Sequence, residues 1–206
     1  MLVIDLTLPL NDQTAVYVDA DGHRDPAYEA TPWFSIGKQG YSVHRLEMGT
    51  HTGTHLDAPA HFHPTGRTVD QISPSELLGP AAVIDARSWD RVTAAALRLH
   101  GLPVDSGSML LFLLPESGIS LTADAVALVV DWHPRFILYS GQFVDESGRY
   151  HHNRVWLGAD IPLVTDLAPA AAEVRDGDLL VVAPLPLEAM DGAPCRVFAL
   201  RSAPLP

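Results

Sequence analysis

The 206-residue chain has a single cysteine, Cys195, so it can form neither an internal disulfide nor a thiolate metal cluster, and any metal site must be built from nitrogen and oxygen. Basic side chains are scarce as well. The 13 Lys and Arg are scattered against 25 Asp and Glu, a formal charge of -12, which excludes a nucleic-acid partner that needs clustered cations to displace condensed counterions. No apolar run approaches the roughly 20 residues of a membrane span. The opening MLVIDLTLPL lacks the basic segment, apolar segment and small-residue cleavage site of a secretory signal, so a cytoplasmic protein without a membrane partner is expected. Glycine-rich phosphate loops and dinucleotide fingerprints are absent, and PESGIS lacks the GxSxG elbow, which sets aside nucleotide enzymes and serine hydrolases.

What the chain does have is 47% hydrophobic and 18% charged residues, enough to bury a full core as one domain. Apolar, β-rich runs at VIDLTL, VHRLEM, AAVIDA, MLLFLL, RFILYS, DLLVVAPL and CRVFAL, separated by Gly, Pro, Asp and Ser turns, read as strands. RVTAAALRLHG and LTADAVALVVDWHP read as helices, the first stopped by Gly101, the second capped by Thr122 and ended by Pro134. Connections are short and no repeat occurs, so the expectation is one α/β domain over residues 1–206, with Cys195 a buried bystander.

The chemistry concentrates in HTGTHLDAPAHF, residues 51–62, which holds His51, His55 and His61 with the single acid Asp57. In a helix Asp57 would point about 240° away from His51, and Thr52, Thr54, Gly53 and Pro59 disfavour a helix in any case. In a flat strand positions 51, 55 and 57 share a face, but His51 and His55 would lie roughly 13 Å apart, too far for one ion. The chain must therefore bend, and Gly53 is placed to bend it and to leave room between the imidazoles. Two imidazoles and a carboxylate suit Zn, Mn or Fe(II), and three protein ligands leave positions open for water and substrate. His51, His55 and Asp57 are the candidate ligands. His63, in the turn FHPTG, reads as a histidine that is solvated or supports the ligands from outside, not as a ligand.

This stretch resembles the HxGTHxDxPxHF signature of the cyclase family, whose best-known members are bacterial kynurenine formamidases, with isatin hydrolases as relatives. The resemblance extends to IDLTLPL, SVHRLEMGT and PLPLEAMDGAPCRVFAL, nearly the full length. It implies a swivelling β/β/α fold with a mixed sheet, a homodimer or larger homo-oligomer, and an enzyme that uses divalent metal to hydrolyse a small amide or lactone. His51, His55 and Asp57 match the family's metal ligands, and His61 matches the histidine that acts as acid and base or as a second-metal ligand.

The sequence also departs from the family. Aligned on WLGADIPLVTDL, Asn153 stands where the family has a second-site histidine and Thr165 where it has a glutamate, which implies one ion per subunit, or none. His151 and His152, in what reads as a loop, and Asp166 are candidate replacements. LYSGQFVD and YVDADGH differ from the family's recognition segments, which implies a substrate other than N-formylkynurenine. Tyr17, Trp33 and Phe34 lie in the region that lines the pocket in relatives. Three functions follow in order: a metal-dependent hydrolase of a small aryl or cyclic amide, ester or lactone; a biosynthetic cyclase with a reduced metal site; and a noncatalytic small-molecule-binding protein.

Overall fold

The computed structural model describes residues 1–19, 21–101 and 107–202. Strand β1 (Leu2–Asp5) is followed by β2 (Glu29–Phe34), the one-turn helix α1 (Ile36–Gln39) and β3 (Val43–Glu47). Next come the short β4 (His55–Asp57), then β5 (Leu78–Asp85), β6 (Arg91–Val92), α2 (Ala94–His100) and β7 (Met109–Leu113). The second half runs β8 (Ile119–Leu121), α3 (Ala123–Trp132), β9 (Phe136–Ser140), β10 (Phe143–Asp145), α4 (His151–Gly158), β11 (Leu163–Thr165), β12 (Leu179–Pro184) and β13 (Gly192–Arg201).

Eight strands form one mixed sheet in the order β1-β13-β12-β5-β7-β9-β11-β4, and β4 pairs back onto β13, which closes the sheet into a barrel-like whole. β5, β7, β9 and β11 are parallel, whereas β12, β13 and β4 join antiparallel. The result is a single-domain mixed α/β fold, as the strand and helix pattern predicts.

The parallel strands are buried on both faces, which is why MLLFLL is apolar without interruption. Alternation still sorts the side chains: Met109, Leu111 and Leu113 enter the core inside the closed sheet, and Leu110, Phe112 and Leu114 enter the layer beneath the helices. Phe112 and Trp156 are fully buried in that outer layer with parallel rings 6.5 Å apart, and the indole N–H donates to the Val126 carbonyl at 3.1 Å. Burying two such rings contributes about 2–3 kcal/mol each.

Thr93 caps α2 by accepting the Ala96 amide, and Gly101, at φ 72°, stops it, as predicted. Two details differ. Thr122 occupies the N-cap position of α3, but its hydroxyl bonds to the Val92 carbonyl and the Asp124 carboxylate rather than capping a backbone amide. The predicted loop YHHNRVW is mostly the helix α4, which carries no side-chain cap and is held by the packing of Trp156 and Leu157.

Candidate metal centre

β4 lies between β11 and β13, with His55 opposite Thr165 and Pro194, and Asp57 opposite Leu163 and Gly192. Alternation sends Leu56, fully buried, into the inner core and turns His55 and Asp57 to the opposite face, shared with Thr165. The bend predicted at Gly53 is real, at φ 64°, but a side chain there would meet Leu10 at 2.5 Å; the missing side chain makes room for Leu10, not for space between the imidazoles. Room for His51 comes instead from Gly192, where an added Cβ would lie 2.7 Å from the ring. Thr54 holds the bend from both sides, donating to the Asp166 carbonyl at 2.6 Å and accepting the Leu8 amide at 2.9 Å. Beyond β4 a 3-10 turn, Pro59–His61, swings His61 to within 4.0 Å of the His51 ring, centroid to centroid.

Asp57 Oδ1 is the focus of the site. His51 Nδ1 lies 2.8 Å from it and His55 Nε2 3.1 Å. The other nitrogen of each ring is committed elsewhere: His51 Nε2 donates to Asp191 Oδ2 at 2.9 Å, and His55 Nδ1 donates to the Gly53 carbonyl at 2.7 Å. Asp191 Oδ2 also accepts from His61 Nδ1 at 3.0 Å, while its Oδ1 accepts from Thr50 at 3.1 Å. His51, Asp57 and His61 offer ligand atoms all within 4.8 Å of one another.

The electrostatics follow from these contacts. Burial opposes charge on His51, but its bonds to Asp191 and Asp57 outweigh this and raise its pKa to about 10. Burial likewise penalises the Asp57 carboxylate, and the His55 and His51 imidazoles overcome it and hold the group far below the usual carboxylate range. Asp191 is held low by its bonds to His51 and His61.

These residues fit a divalent cation. Ligand bonds of roughly 2.0–2.2 Å place neighbouring ligand atoms of one ion about 3 Å apart, which matches the distances of His51 Nδ1 and His55 Nε2 from Asp57 Oδ1, while the group whose ligand atoms all lie within 4.8 Å of one another takes His61 rather than His55 as its second imidazole. An outer carboxylate and an outer carbonyl fix the orientation and tautomer of the two histidines, as such partners do for metal-bound imidazoles. A cation would displace the protons that now lie between the histidine nitrogens and Asp57.

Thr165, buried, puts its hydroxyl 3.3 Å from His55 Nε2. The Asp166 carboxylate lies 3.8 Å from His55 Nδ1, the nitrogen already bonded to Gly53, and its side chain is 60% exposed. His152 is buried among Tyr139, Phe143 and Trp156, with Nδ1 bonded to Asp145 at 2.7 Å; His151 begins α4, and the Asn153 amide faces the Tyr139 hydroxyl. Tyr17 bonds Tyr150 and Arg149 through its hydroxyl, and the Tyr150 ring lies beside Phe62, whereas Trp33 and Phe34 lie on the β2–β3 hairpin. His63, read as solvated or supporting, donates through Nε2 to the Arg154 carbonyl at 2.8 Å. Sequence reasoning missed Asp191. Its only signal is its place in the closing segment AMDGAPC, just before β13.

Comparison with known proteins finds relatives that cover nearly the whole chain. Kynurenine formamidases of Bacillus cytotoxicus and Bacillus mycoides are each 29% identical to the chain, over 95% and 94% of both sequences respectively. The fold superposes on isatin hydrolase A from Ralstonia solanacearum with a TM-score of 0.82 at 21% identity, covering 97% of this chain and 92% of that one. A Bacillus stearothermophilus protein described as a "predicted metal-dependent hydrolase" gives a TM-score of 0.76 at 25% identity, covering 96% of this chain and 97% of that one. The expectation of an enzyme agrees with relatives that bear the names of hydrolytic enzymes. The model of the Cyclase family, described as "Putative cyclase", matches residues 4–174, and the chain therefore belongs to the cyclase family.

Proposed function

We propose that the chain is a metal-dependent hydrolase of a small aryl or cyclic amide, ester or lactone, with one Zn or Mn per subunit held by His51, His55 and Asp57. The observation that carries this reading is the convergence of His51 Nδ1 and His55 Nε2 on one oxygen of Asp57 while Asp191 and the Gly53 carbonyl hold the far side of each ring. When bound, the cation polarises a substrate carbonyl and makes water more acidic.

The protein supplies the rest. His61 donates Nδ1–H to Asp191, which leaves Nε2 as the nitrogen that takes a proton from the attacking water and returns it to the leaving group. Asp191 orients His51 and His61 together, so ligand and proton relay keep a constant relation. Thr165 and Asn153 offer a hydroxyl and an amide, the latter turned to Tyr139, and neither supplies the carboxylate needed to offset repulsion between two neighbouring dications. This supports a single ion.

The reading includes one cytoplasmic domain over residues 1–206, of swivelling β/β/α type, acting as a homodimer. Supporting the dimer is the β2–β3 hairpin, which among the described residues pairs only with itself and exposes Trp33 at 62%, Tyr41 at 54% and Leu46 at 54%. An isolated two-stranded hairpin is marginal in water, and a second copy would cover this apolar face.

Elemental analysis of protein purified without added metal, followed by assays on N-formylkynurenine and isatin, tests the proposal. A stoichiometric divalent cation with hydrolysis of a ring or aryl amide is the expected result. Metal-free protein that hydrolyses neither after metal is added would overturn it in favour of ring closure or simple binding.

A further inference from the structure

Residues 59–67 close on themselves behind His61. The Ala60 amide donates to the Arg67 carbonyl at 3.0 Å, the His63 amide to the Pro59 carbonyl at 3.0 Å, and the Gly66 amide to the His63 carbonyl at 2.7 Å. Gly66 packs directly against the turn, for a Cβ there would meet the backbone of Pro59 and Ala60 at 2.6–2.8 Å. Whatever holds this loop from outside therefore also holds the backbone of His61.

The outside hold is one face of α4. Tyr150, Arg154 and Gly158 follow one another at intervals of four residues and so share that face. Phe62 sits against the first two, its ring 5.6 Å from the Tyr150 ring and 5.7 Å from the Arg154 guanidinium. His63 takes the rest. Its Nε2 donates to the Arg154 carbonyl at 2.8 Å, and a Cβ on Gly158 would stand 2.8 Å from that nitrogen and 3.0 Å from Cε1. A carbonyl oxygen has two lone pairs, so the helix can use one for the amide four residues on and leave the other to His63. Gly158 is the last residue of a helix, where alanine would fit the backbone and ordinarily favour it; the nearest atoms that such a side chain would meet all belong to His63. Farther along, Arg67 Nε donates to the Asp160 carboxylate, two residues past the helix, at 2.8 Å.

We propose that His63 is a positioning residue: seated on Gly158 and bonded to the Arg154 carbonyl, it fixes the Pro59–His61 turn on α4 and thereby aims the His61 imidazole. This assignment rests on the reading of His61 as the proton relay of a hydrolase. Asp191 fixes one nitrogen of the His61 ring, and His63 fixes the backbone that carries the ring. The proposed ligands are held by other groups, His51 by Asp191 and His55 by the Gly53 carbonyl, so the influence of His63 falls on proton transfer and not on the ion. Proton transfer is sensitive to such aim: the relay must come within about 2.6–3.2 Å of the proton it moves, and a small misplacement costs rate steeply.

The test uses the full-length protein with added zinc and three single variants. His63→Leu removes the donor, His63→Gln keeps an N–H at nearly the same reach, and Gly158→Ala pushes the ring off its seat. On whichever of N-formylkynurenine and isatin the parent hydrolyses, kcat is expected to fall about tenfold in His63→Leu and in Gly158→Ala, with KM and zinc content near the parent's, and His63→Gln is expected to recover most of the loss. The double variant of His63→Leu with Gly158→Ala is expected to lose no more than either alone, since both break one contact. Ring-nitrogen NMR of protein carrying isotope-labelled histidine needs no turnover: the His61 Nδ1–H that Asp191 accepts is expected to exchange faster with water in His63→Leu. Parental kcat or parental exchange in His63→Leu, or losses that multiply in the double variant, would overturn the positioning role and leave the hydrolase reading intact. Zinc lost in step with kcat would overturn it as well, by placing the effect on the ligands. Exchange that depends on His63, in a protein that hydrolyses neither compound, supports the positioning role and counts against the hydrolase reading alone.

Discussion

Asp191 Oδ2 lies 2.9 Å from His51 Nε2, a contact made across 140 residues of sequence, and the same oxygen accepts from His61. One carboxylate thereby sets the orientation of a proposed ligand and of the proposed proton relay. Asp191→Asn is expected to weaken metal affinity by 10- to 100-fold, measured by competition with a chromogenic chelator, and to lower kcat as well. Affinity and kcat both equal to the parent's would show that Asp191 orients neither ring.

His51→Ala and Asp57→Ala are each expected to lose most of the single bound cation while keeping the far-UV circular dichroism of the parent. Both side chains lie outside the apolar core, and the strand that carries Asp57 stays anchored there by Leu56. Parental metal content in both variants would contradict the ligand assignment.

His61→Ala should depress kcat by about 10²-fold with metal content near normal, since its imidazole moves a proton rather than holding the ion. Because its ring nitrogen also lies close to His51 and Asp57, metal lost in step with activity would instead make it a ligand.

His152 and Asp145 form a bond of 2.7 Å with side chains only 8% and 4% exposed. Removing one member of a buried pair strands the other, so His152→Ala should cost about 3–5 kcal/mol in urea unfolding and leave the metal content unchanged. A second ion in the parent, lost from this variant without change in stability, would mean that His152 is a ligand.

On the exposed hairpin, Trp33→Glu combined with Leu46→Glu is expected to convert a homodimer into a folded monomer, read by light scattering. A parent that is already monomeric would remove the dimer from the proposal.

The strands and the histidine window were legible because both are local patterns. Period-two alternation and long apolar runs mark β5, β7, β9, β12 and β13, and the failure of a helix or a flat strand to gather His51, His55 and Asp57 announces a bend. What lay hidden depends on distant neighbours. The space that Gly53 leaves belongs to Leu10, 43 positions earlier in the numbering and invisible to any reading of residues 51–62. Helix α4 begins with two histidines, an asparagine and an arginine, lacks a cap, and exists because Trp156 and Leu157 find a ready core. Asp191 carries no mark beyond its place in the closing segment; only the pairing of β4 with β13 brings it to His51.

That pairing has a consequence for the order of events in the life of the polypeptide. β4 is closed on one side by residues 192–194, and the carboxylate that steadies both imidazoles is residue 191, 130 positions after His61. A nascent chain has made its three histidines and Asp57 long before it has made the strand that holds them in place. Ordering of the proposed ligands therefore waits for β13, and a truncation that removes β13 takes away that order along with the seam of the barrel.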